Sequence, residues 1–323
     1  MKYYLAPMVG LTHSAFRRLI AEYNSGEVIL YTEMLSPRAL LHHNVEKSPY
    51  TKRVGKDVPC IYQLMLREDE LDLVLPLVEK LRPLKPYGID INLGCPAPKA
   101  RRKKTGSRLF EDLGAVERCV AAVQQAWSGR ISLKCRLGVN RPGWEEHFTS
   151  FLDTAQGWGI DSITLHPRFR EDKRTRPVKE KYYTQFFADR SFFLIGNGNI
   201  TDTTDLSHAQ YAHLNGVMIG RAAVCRPWVF SLLDKAEVSS PEAALFCDVW
   251  ERFFRYVRED FHDSQGLGRM KIFTRYFAQN FRFGHTLYGK AMGSTSMDEL
   301  YHVCMAFLEK EPPRVQKLRI LEQ

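Results

Sequence analysis

The chain has 323 residues, 44% of them hydrophobic and 26% charged, a composition that buries a full core and sets aside an intrinsically disordered chain. No stretch approaches the roughly 20 uninterrupted apolar residues of a membrane span. Lys and Arg number 46 against 37 Asp and Glu, a formal charge of +9, which suits a polyanionic partner without requiring one.

Residues 1–6 lead straight into an apolar segment and lack the features of a signal peptide, so a cytoplasmic protein is expected. The seven cysteines (60, 95, 119, 135, 225, 247 and 304) are odd in number and show no C-x-x-C spacing. No metal site is expected, and each is read as a small buried hydrophobe until something sets it apart.

In chain order, strand-like runs occur at residues 3–6, 28–32, 60–65, 88–92, 131–136, 162–166, 192–196 and 216–220. Between them lie amphipathic, helix-like segments at 14–23, 70–81, 115–127, 144–158 and 202–209. Most strand runs are continuously apolar, as in parallel strands covered on both faces. Eight alternating units predict a (β/α)8 TIM barrel; an open doubly wound sheet is the alternative, but no G-x-G-x-x-G follows the first strand. After residue 233 the pattern changes. Residues 236–241 (AEVSSP) read as a linker, and 243–260, 270–281 and 297–309 read as helices. The predicted domains are a barrel over 1–235 and a C-terminal all-helical domain over 240–323.

Functional residues of such barrels sit at the C-terminal ends of the strands. Glycine-rich turns close strands seven (Gly196-Asn197-Gly198) and eight (Gly220-Arg221). Either alone is most simply a turn, but both together form the usual phosphate cradle, to which Arg221 adds a charged contact. Lys134 lies in an otherwise apolar strand, ISLKCRL. Pointing into the barrel mouth it needs an anionic partner, and the alternative is that it snorkels or pairs with a carboxylate. Cys95 stands between Gly94 and Pro96 just past strand four, where a thiol, mostly protonated at neutral pH, can give up a proton. His166 and Arg168 end strand six; a solitary histidine proves nothing.

Two basic loops emerge on the same predicted face. One carries Lys99, Arg101, Arg102, Lys103 and Lys104; the other runs from Arg168 through Arg170, Lys173, Arg174, Arg176, Lys179 and Lys181 to Tyr182 and Tyr183. Charge runs are usually solvated loops, but two of them around one mouth, with aromatics nearby, make a track for a phosphate backbone. The helical tail adds Arg269, Lys271, Arg275 and Arg282.

These motifs, LAPMVGLTHSAFR (5–17), DINLGCPAPKARRKKTGSRL (90–109), LKCRLG (133–138), TLHPR (164–168), IGNGNI (195–200) and VMIGRAAVCRPWVF (217–230), resemble the tRNA-dihydrouridine synthase family of bacterial type. The resemblance implies an FMN-bearing barrel reduced by NADPH or NADH, acting on tRNA, with a helical domain that helps to hold the RNA. It implies FMN contacts from Pro7, Met8, Gln63, Lys134, His166, Asn197, Gly198, Gly220 and Arg221, and places Asn92 beside the uracil or the flavin; the charge pattern adds Arg168, Lys99, Arg101, Arg102, Lys271 and Arg275 as expected substrate contacts. Lys134 would then face the electron-rich N1–C2=O edge of the flavin, and Cys95 would be the catalytic proton donor. A monomer without an obligate protein partner is expected.

Three departures stand out: Asn199 replaces the usual aspartate of the G-N-G-D-I turn, the loop after His166-Pro167-Arg168 is highly charged, and Arg108 follows Gly106-Ser107. A flavin barrel acting on a small molecule is the rival reading, but it leaves the basic loops without a purpose. A ribosomal RNA substrate is a further alternative, as is a non-catalytic RNA binder, against which the intact Cys95 motif argues.

Overall fold

A computed structural model of the chain describes residues 1–24, 27–234 and 243–318. The predicted linker at 236–241 and the residues beyond 318 lie outside the described residues. Eight parallel strands, β1 (Lys2–Leu5), β2 (Val28–Tyr31), β3 (Cys60–Leu64), β4 (Gly88–Leu93), β5 (Arg130–Arg136), β6 (Ser162–His166), β7 (Phe193–Asn197) and β8 (Gly216–Ile219), close in sequence order, with β8 pairing back on β1. The (β/α)8 barrel expected from the eight alternating units is the observed fold.

The strands are two-faced. On β4 and β5, Ile89, Ile91, Leu93, Ile131, Leu133 and Cys135 point outward into the main core. Tyr4, Ala6, Ile29, Tyr31, Ile61, Ile195 and Met218 form a second, smaller cluster inside the barrel. The alternate positions of β3 to β6 carry polar groups instead: Gln63, Asp90, Asn92, Ser132 and Thr164 are all buried. Side chains alternate with period two along a strand. Every second residue of these four strands therefore enters the lumen, and the lumen is polar on this arc.

The helices of the barrel half are α1 (Ser14–Glu22), α2 (Pro37–Leu41), α3 (Val74–Leu81), α4 (Pro98–Arg102), α5 (Leu113–Ala126), α6 (Trp144–Gln156), α7 (Lys181–Phe187), α8 (Arg221–Cys225) and α9 (Val229–Leu233). The tail folds as α10 (Ala243–Asp260), α11 (Asp263–Phe277), α12 (Gly284–Gly293) and α13 (Met297–Leu308). Among the described residues no helix is long and apolar enough to cross a membrane. The helix expected at 202–209 is instead two 3-10 turns, Asp205–Ser207 and Ala209–Tyr211. Asp202 and Asp205 take up the local N–H groups of Thr204 and Thr201, the competition that disfavours these residues inside helices.

The tail packs on α1 and α8. Tyr256 donates to Glu22 (2.5 Å), Arg18 pairs with Glu259 (2.9 Å), and Asp260 is held by Ser14 and Lys52. Asn280, fully buried, donates to the carbonyls of Cys225 (2.6 Å) and Phe277 (3.0 Å) and accepts from Arg226 (3.0 Å). Asn280→Ala removes these partners from buried groups. It is expected to cost about 2–3 kcal/mol, seen as a lower urea midpoint at unchanged slope; an unchanged midpoint would contradict this docking role.

Candidate active site

The C-terminal mouth of the barrel opens into a cleft of about 550 Å³. Its lining takes one or two residues from almost every strand end: Pro7 and Met8 after β1, Asn92 and Cys95 from β4, Lys134 and Arg136 from β5, His166 and Arg168 from β6, Asn197 and Gly198 from β7, and Gly220 and Arg221 from β8. Ile272 and Tyr276 of α11 complete it. The cofactor candidates of the barrel, Gln63 excepted, thus come together with Asn92, Cys95 and Arg168, whereas Lys99, Arg101 and Arg102 do not line the cleft. The Gln63 side chain is wholly buried in the lumen, giving its N–H to Asp90 (2.7 Å) and accepting from Asn92 (2.8 Å). It stands behind Asn92 and not on the wall.

Cys95 lies on a turn fixed from both sides. Asn92 Oδ1 accepts from the N–H groups of Gly94 (3.1 Å) and Cys95 (2.9 Å). The Cys95 carbonyl accepts from the N–H (3.1 Å) and hydroxyl (2.9 Å) of Ser107. Gly106, at φ +58°, passes so close that a Cβ there would lie 2.9 Å from that of Cys95, which is a place only glycine fills without a shift. Five of the other six cysteines are buried, with the thiols of Cys119, Cys135, Cys225 and Cys304 pushed up to about 12 by burial. Among the described residues Cys95 is the only cysteine on the cleft wall.

The electrostatics of the cleft are one-sided. Among the described residues five cationic side chains, Lys134, Arg136, Arg168, Arg174 and Arg221, line it, and no carboxylate does. Lys134 donates to Asn197 Oδ1 (2.8 Å), whose amide N–H in turn holds the carbonyl of Met218 (2.8 Å). Burial lowers the Lys134 ammonium to about 8, against the pull of Asp90, and burial raises Asp90 to about 7. His166 Nε2 accepts from Arg168 Nη1 (2.6 Å), so the imidazole carries its proton on Nδ1. Burial, then Lys134, Arg136, Arg168 and Arg221, hold the ring well below its usual range and therefore neutral.

Arg168 is fully buried. Besides His166 it donates to the carbonyls of Arg174 (3.1 Å) and Arg176, and to Asn199 Oδ1 (3.1 Å). It braces the charged loop from inside, and burial lowers its guanidinium to about 10. Asn199, at φ +58°, also accepts from Arg221 (2.9 Å). The amide that replaces the usual aspartate therefore bridges two guanidinium groups without adding a negative charge.

The two basic loops differ in what they expose. Lys99, Arg101, Arg102, Lys103 and Lys104 are all exposed, the first three on α4. In the second loop Arg170 pairs with Glu111 and Glu171, and Lys179 pairs with Asp172 (2.6 Å). Lys173, Arg174 and Arg176 remain exposed. The aromatics expected beside this track are not available to a ligand: Tyr182 and Tyr183 are 7% and 0% exposed, on the inner face of α7.

On α11, Arg275 is exposed and Lys271 reaches the Met292 carbonyl (3.0 Å). Arg269 turns inward over the ring of Phe261 (3.9 Å) and donates to Tyr50 (2.5 Å). Ile272 and Tyr276, one helical turn apart, went unnoticed in the sequence, although their i, i+4 spacing places them on one face.

Comparison with known proteins agrees with this arrangement. A family model described as dihydrouridine synthase matches residues 4–309. The chain is 26% identical to the tRNA-dihydrouridine(20/20a) synthase of Shewanella oneidensis over 290 residues, covering 84% of this chain and 81% of that one. It is 28% identical to the tRNA-dihydrouridine(47) synthase [NAD(P)(+)]-like protein of Rattus norvegicus, covering 84% of this chain and 42% of the relative. Among solved structures, morphinone reductase in complex with tetrahydroNAD shares the fold, with a TM-score of 0.50 at 10% identity over 75% of this chain and 89% of that one.

Proposed function

Because the chain belongs to the dihydrouridine synthase family, we propose that it reduces the C5–C6 double bond of a uridine in the D-loop of a tRNA. The cofactor is FMN, reduced by NADPH or NADH, and the enzyme acts in the cytoplasm. The observation that carries this reading is the placement of Cys95 in one cleft with Lys134 and the glycine turns of β7 and β8.

The cleft fits a flavin mononucleotide. Gly198 and Gly220 bring bare backbone to the wall: a Cβ at Gly198 would come within 2.6 Å of Val178 and 2.9 Å of His166, and one at Gly220 within 3.3 Å of Met8. Five cations, with no carboxylate among the described lining residues, suit a phosphate dianion. Ala6, Pro7, Met8 and Met218 offer apolar surface to a ring system. Pro7, Met8, Lys134, His166, Asn197, Gly198, Gly220 and Arg221 would hold the cofactor, and Gln63 would act on it from behind Asn92. When bound and reduced, the flavin supplies the hydride that uracil takes at C6.

Conjugation with the C4 carbonyl makes C6 the electrophilic carbon and leaves C5 in need of a proton. Cys95 Sγ–H supplies it, and solvent returns the proton to the thiolate, so that NAD(P)H and one proton are consumed per uridine. Asn92 steadies the base or the flavin. The base must leave its stack, which costs least from an RNA loop. We assign catalysis to the barrel, about residues 1–235, and part of the RNA grip to the helical region, about 240–323, through Lys271 and Arg275. A small-molecule flavin reductase would have no use for the exposed row Lys99, Arg101 and Arg102.

The direct test is nucleoside mass spectrometry of tRNA and ribosomal RNA from cells with and without the gene, with fragment mapping of any dihydrouridine lost. Loss at one tRNA uridine confirms the reading, loss in ribosomal RNA moves the substrate, and no loss refers the chain back to the small-molecule reading. For the RNA track, replacing Lys99, Arg101 and Arg102 together by Gln is expected to weaken tRNA binding. The slope of log affinity against log salt should fall by about two to three units with flavin binding unaltered; an unchanged slope would remove these residues from the interface.

A further inference from the structure

We propose that Asp90 is a positioning residue: acting through Gln63, it fixes the direction of the Asn92 side-chain amide and, with it, the turn that carries Cys95. For what the turn is used to do, this rests on the reaction proposed above.

The chain of hydrogen bonds leaves one direction open at each step. Asp90 is fully buried in the lumen, where its carboxylate accepts from Ser132 Oγ (2.6 Å) and from Gln63 Nε2 (2.7 Å). In its ionised form Asp90 only accepts, so Gln63 then turns its NH2 group toward Asp90 and its carbonyl away. That carbonyl meets Asn92, which can answer only with its own NH2 group, as it does at 2.8 Å. The Asn92 carbonyl is thereby aimed at the two backbone N–H groups of Gly94 and Cys95.

With its amide reversed, Asn92 would set an NH2 group against two N–H donors and a carbonyl against a carbonyl, losing all three hydrogen bonds. Both lone pairs of Asn92 Oδ1 are spent on the turn and one N–H on Gln63. What Asn92 can offer the cleft that it lines is therefore a single N–H, a donor suited to a carbonyl oxygen. Three strands take part, β3, β4 and β5, and their lumen-facing residues stand at paired positions: Gln63 opposite Asp90, and Asp90 opposite Ser132. Satisfied networks of this kind hold a single geometry, whereas half-satisfied ones do not. A proton donor needs that geometry at the reacting carbon.

The test compares the flavin-loaded wild type with Asp90→Asn, which keeps the shape but presents both a donor and an acceptor to Gln63. Two quantities are read: kcat and KM for dihydrouridine formation on tRNA from cells lacking the modification, and the rate at which iodoacetamide labels Cys95 relative to Cys247, resolved by peptide mass spectrometry. The expected result is a kcat at least tenfold lower with KM for RNA within twofold, and a Cys95 to Cys247 labelling ratio changed at least fivefold. Adding Gln63→Glu moves the carboxylate one place along the chain, where it accepts from both neighbouring amides and restores the direction of Asn92. The double variant should regain kcat and labelling to within about threefold of wild type.

Wild-type kcat and labelling in Asp90→Asn would overturn the proposal, and so would a double variant no better than the single one, since simple damage to the lumen is not repaired by a second substitution. If Asp90→Asn does not retain flavin, Gln63→Met unties Asn92 while leaving the carboxylate in place with Ser132 as its donor, and an unchanged labelling ratio there is equally decisive against it. Should the wild type itself make no dihydrouridine, the proposed reaction fails while the labelling ratios still decide the relay.

Discussion

Cys95→Ala is expected to purify with flavin bound, to accept electrons from NADPH at the wild-type rate, and to form dihydrouridine at least a hundredfold more slowly. The split follows from the position of the thiol. Cys95 lines the cleft, but its turn is held by backbone and amide hydrogen bonds from Asn92 and Ser107, none of which uses the sulfur. Removing Sγ should therefore leave the turn, the glycine cradle and Lys134 as they are. What is lost is the acid for C5, and a positioned general acid contributes about 10² to 10⁴ in rate. Single-turnover stopped flow separates the steps: reduction of the flavin by NADPH unchanged, its reoxidation by tRNA slowed. The assignment fails if reoxidation by RNA proceeds at the wild-type rate. Cys119, Cys135, Cys225 and Cys304 are buried with thiols raised to about 12, so none of them can stand in for it.

The barrel was legible because its signal is redundant. Eight apolar runs alternate with amphipathic segments, and misplacing one boundary leaves the others in place. The ends of β4, β5, β6, β7 and β8 could likewise be read as a site, since a lysine and paired glycines in apolar runs need a reason. The lumen was not read. Asp90, Ser132 and Thr164 sit in strands that look continuously apolar until every second residue is taken alone, as in D-I-N-L and S-L-K-C-R. That period was the available signal for the relay behind Cys95.

Other misses have local causes. Helix α12 carries Gly284, Gly289 and Gly293, which read as breakers, yet a Cβ at Gly284 would fall 1.9 Å from the Ala278 carbonyl oxygen, so a tight approach needs the first of them. Helix α7 begins within a charged run whose cations suggested an open loop. Its Tyr182 and Phe186 pack on Trp144 (5.2 and 5.9 Å between ring centroids), and burial of these rings outweighs the polar flank. Which charges in that run are spent on Glu111 and Asp172 depends on residues distant in sequence or on how the loop folds back.

Lys134→Met should raise the dissociation constant of FMN by about 100-fold, about 2.7 kcal/mol at 1.36 kcal/mol per decade. Methionine keeps much of the apolar stem but removes the ammonium, the one lysine among the cations on the wall. It also strands Asn197 Oδ1, whose bond from Lys134 is 2.8 Å, and removes a positive charge that stabilises the buried Asp90 carboxylate, so part of the effect passes through the lumen.

The pH dependence separates the charge from the shape. With burial lowering Lys134 to about 8, the apoprotein holds the ammonium below that pH and loses it above. An anionic ligand prefers the charged form, so the part of the wild-type FMN affinity that Lys134 supplies is held below about pH 8 and lost as pH rises through it. Asp90, raised to about 7, adds a negative charge over the preceding unit, which works in the same direction. His166, neutral throughout, contributes no step of its own. In Lys134→Met the decline of the ammonium itself should vanish, leaving only the weaker dependence of Asp90, moved above 7 by the loss of the lysine that lowers it. Fluorescence titration of apoprotein with FMN from pH 6 to 9 reads both quantities, and a variant that keeps the wild-type decline would show that another group, not Lys134, faces the flavin.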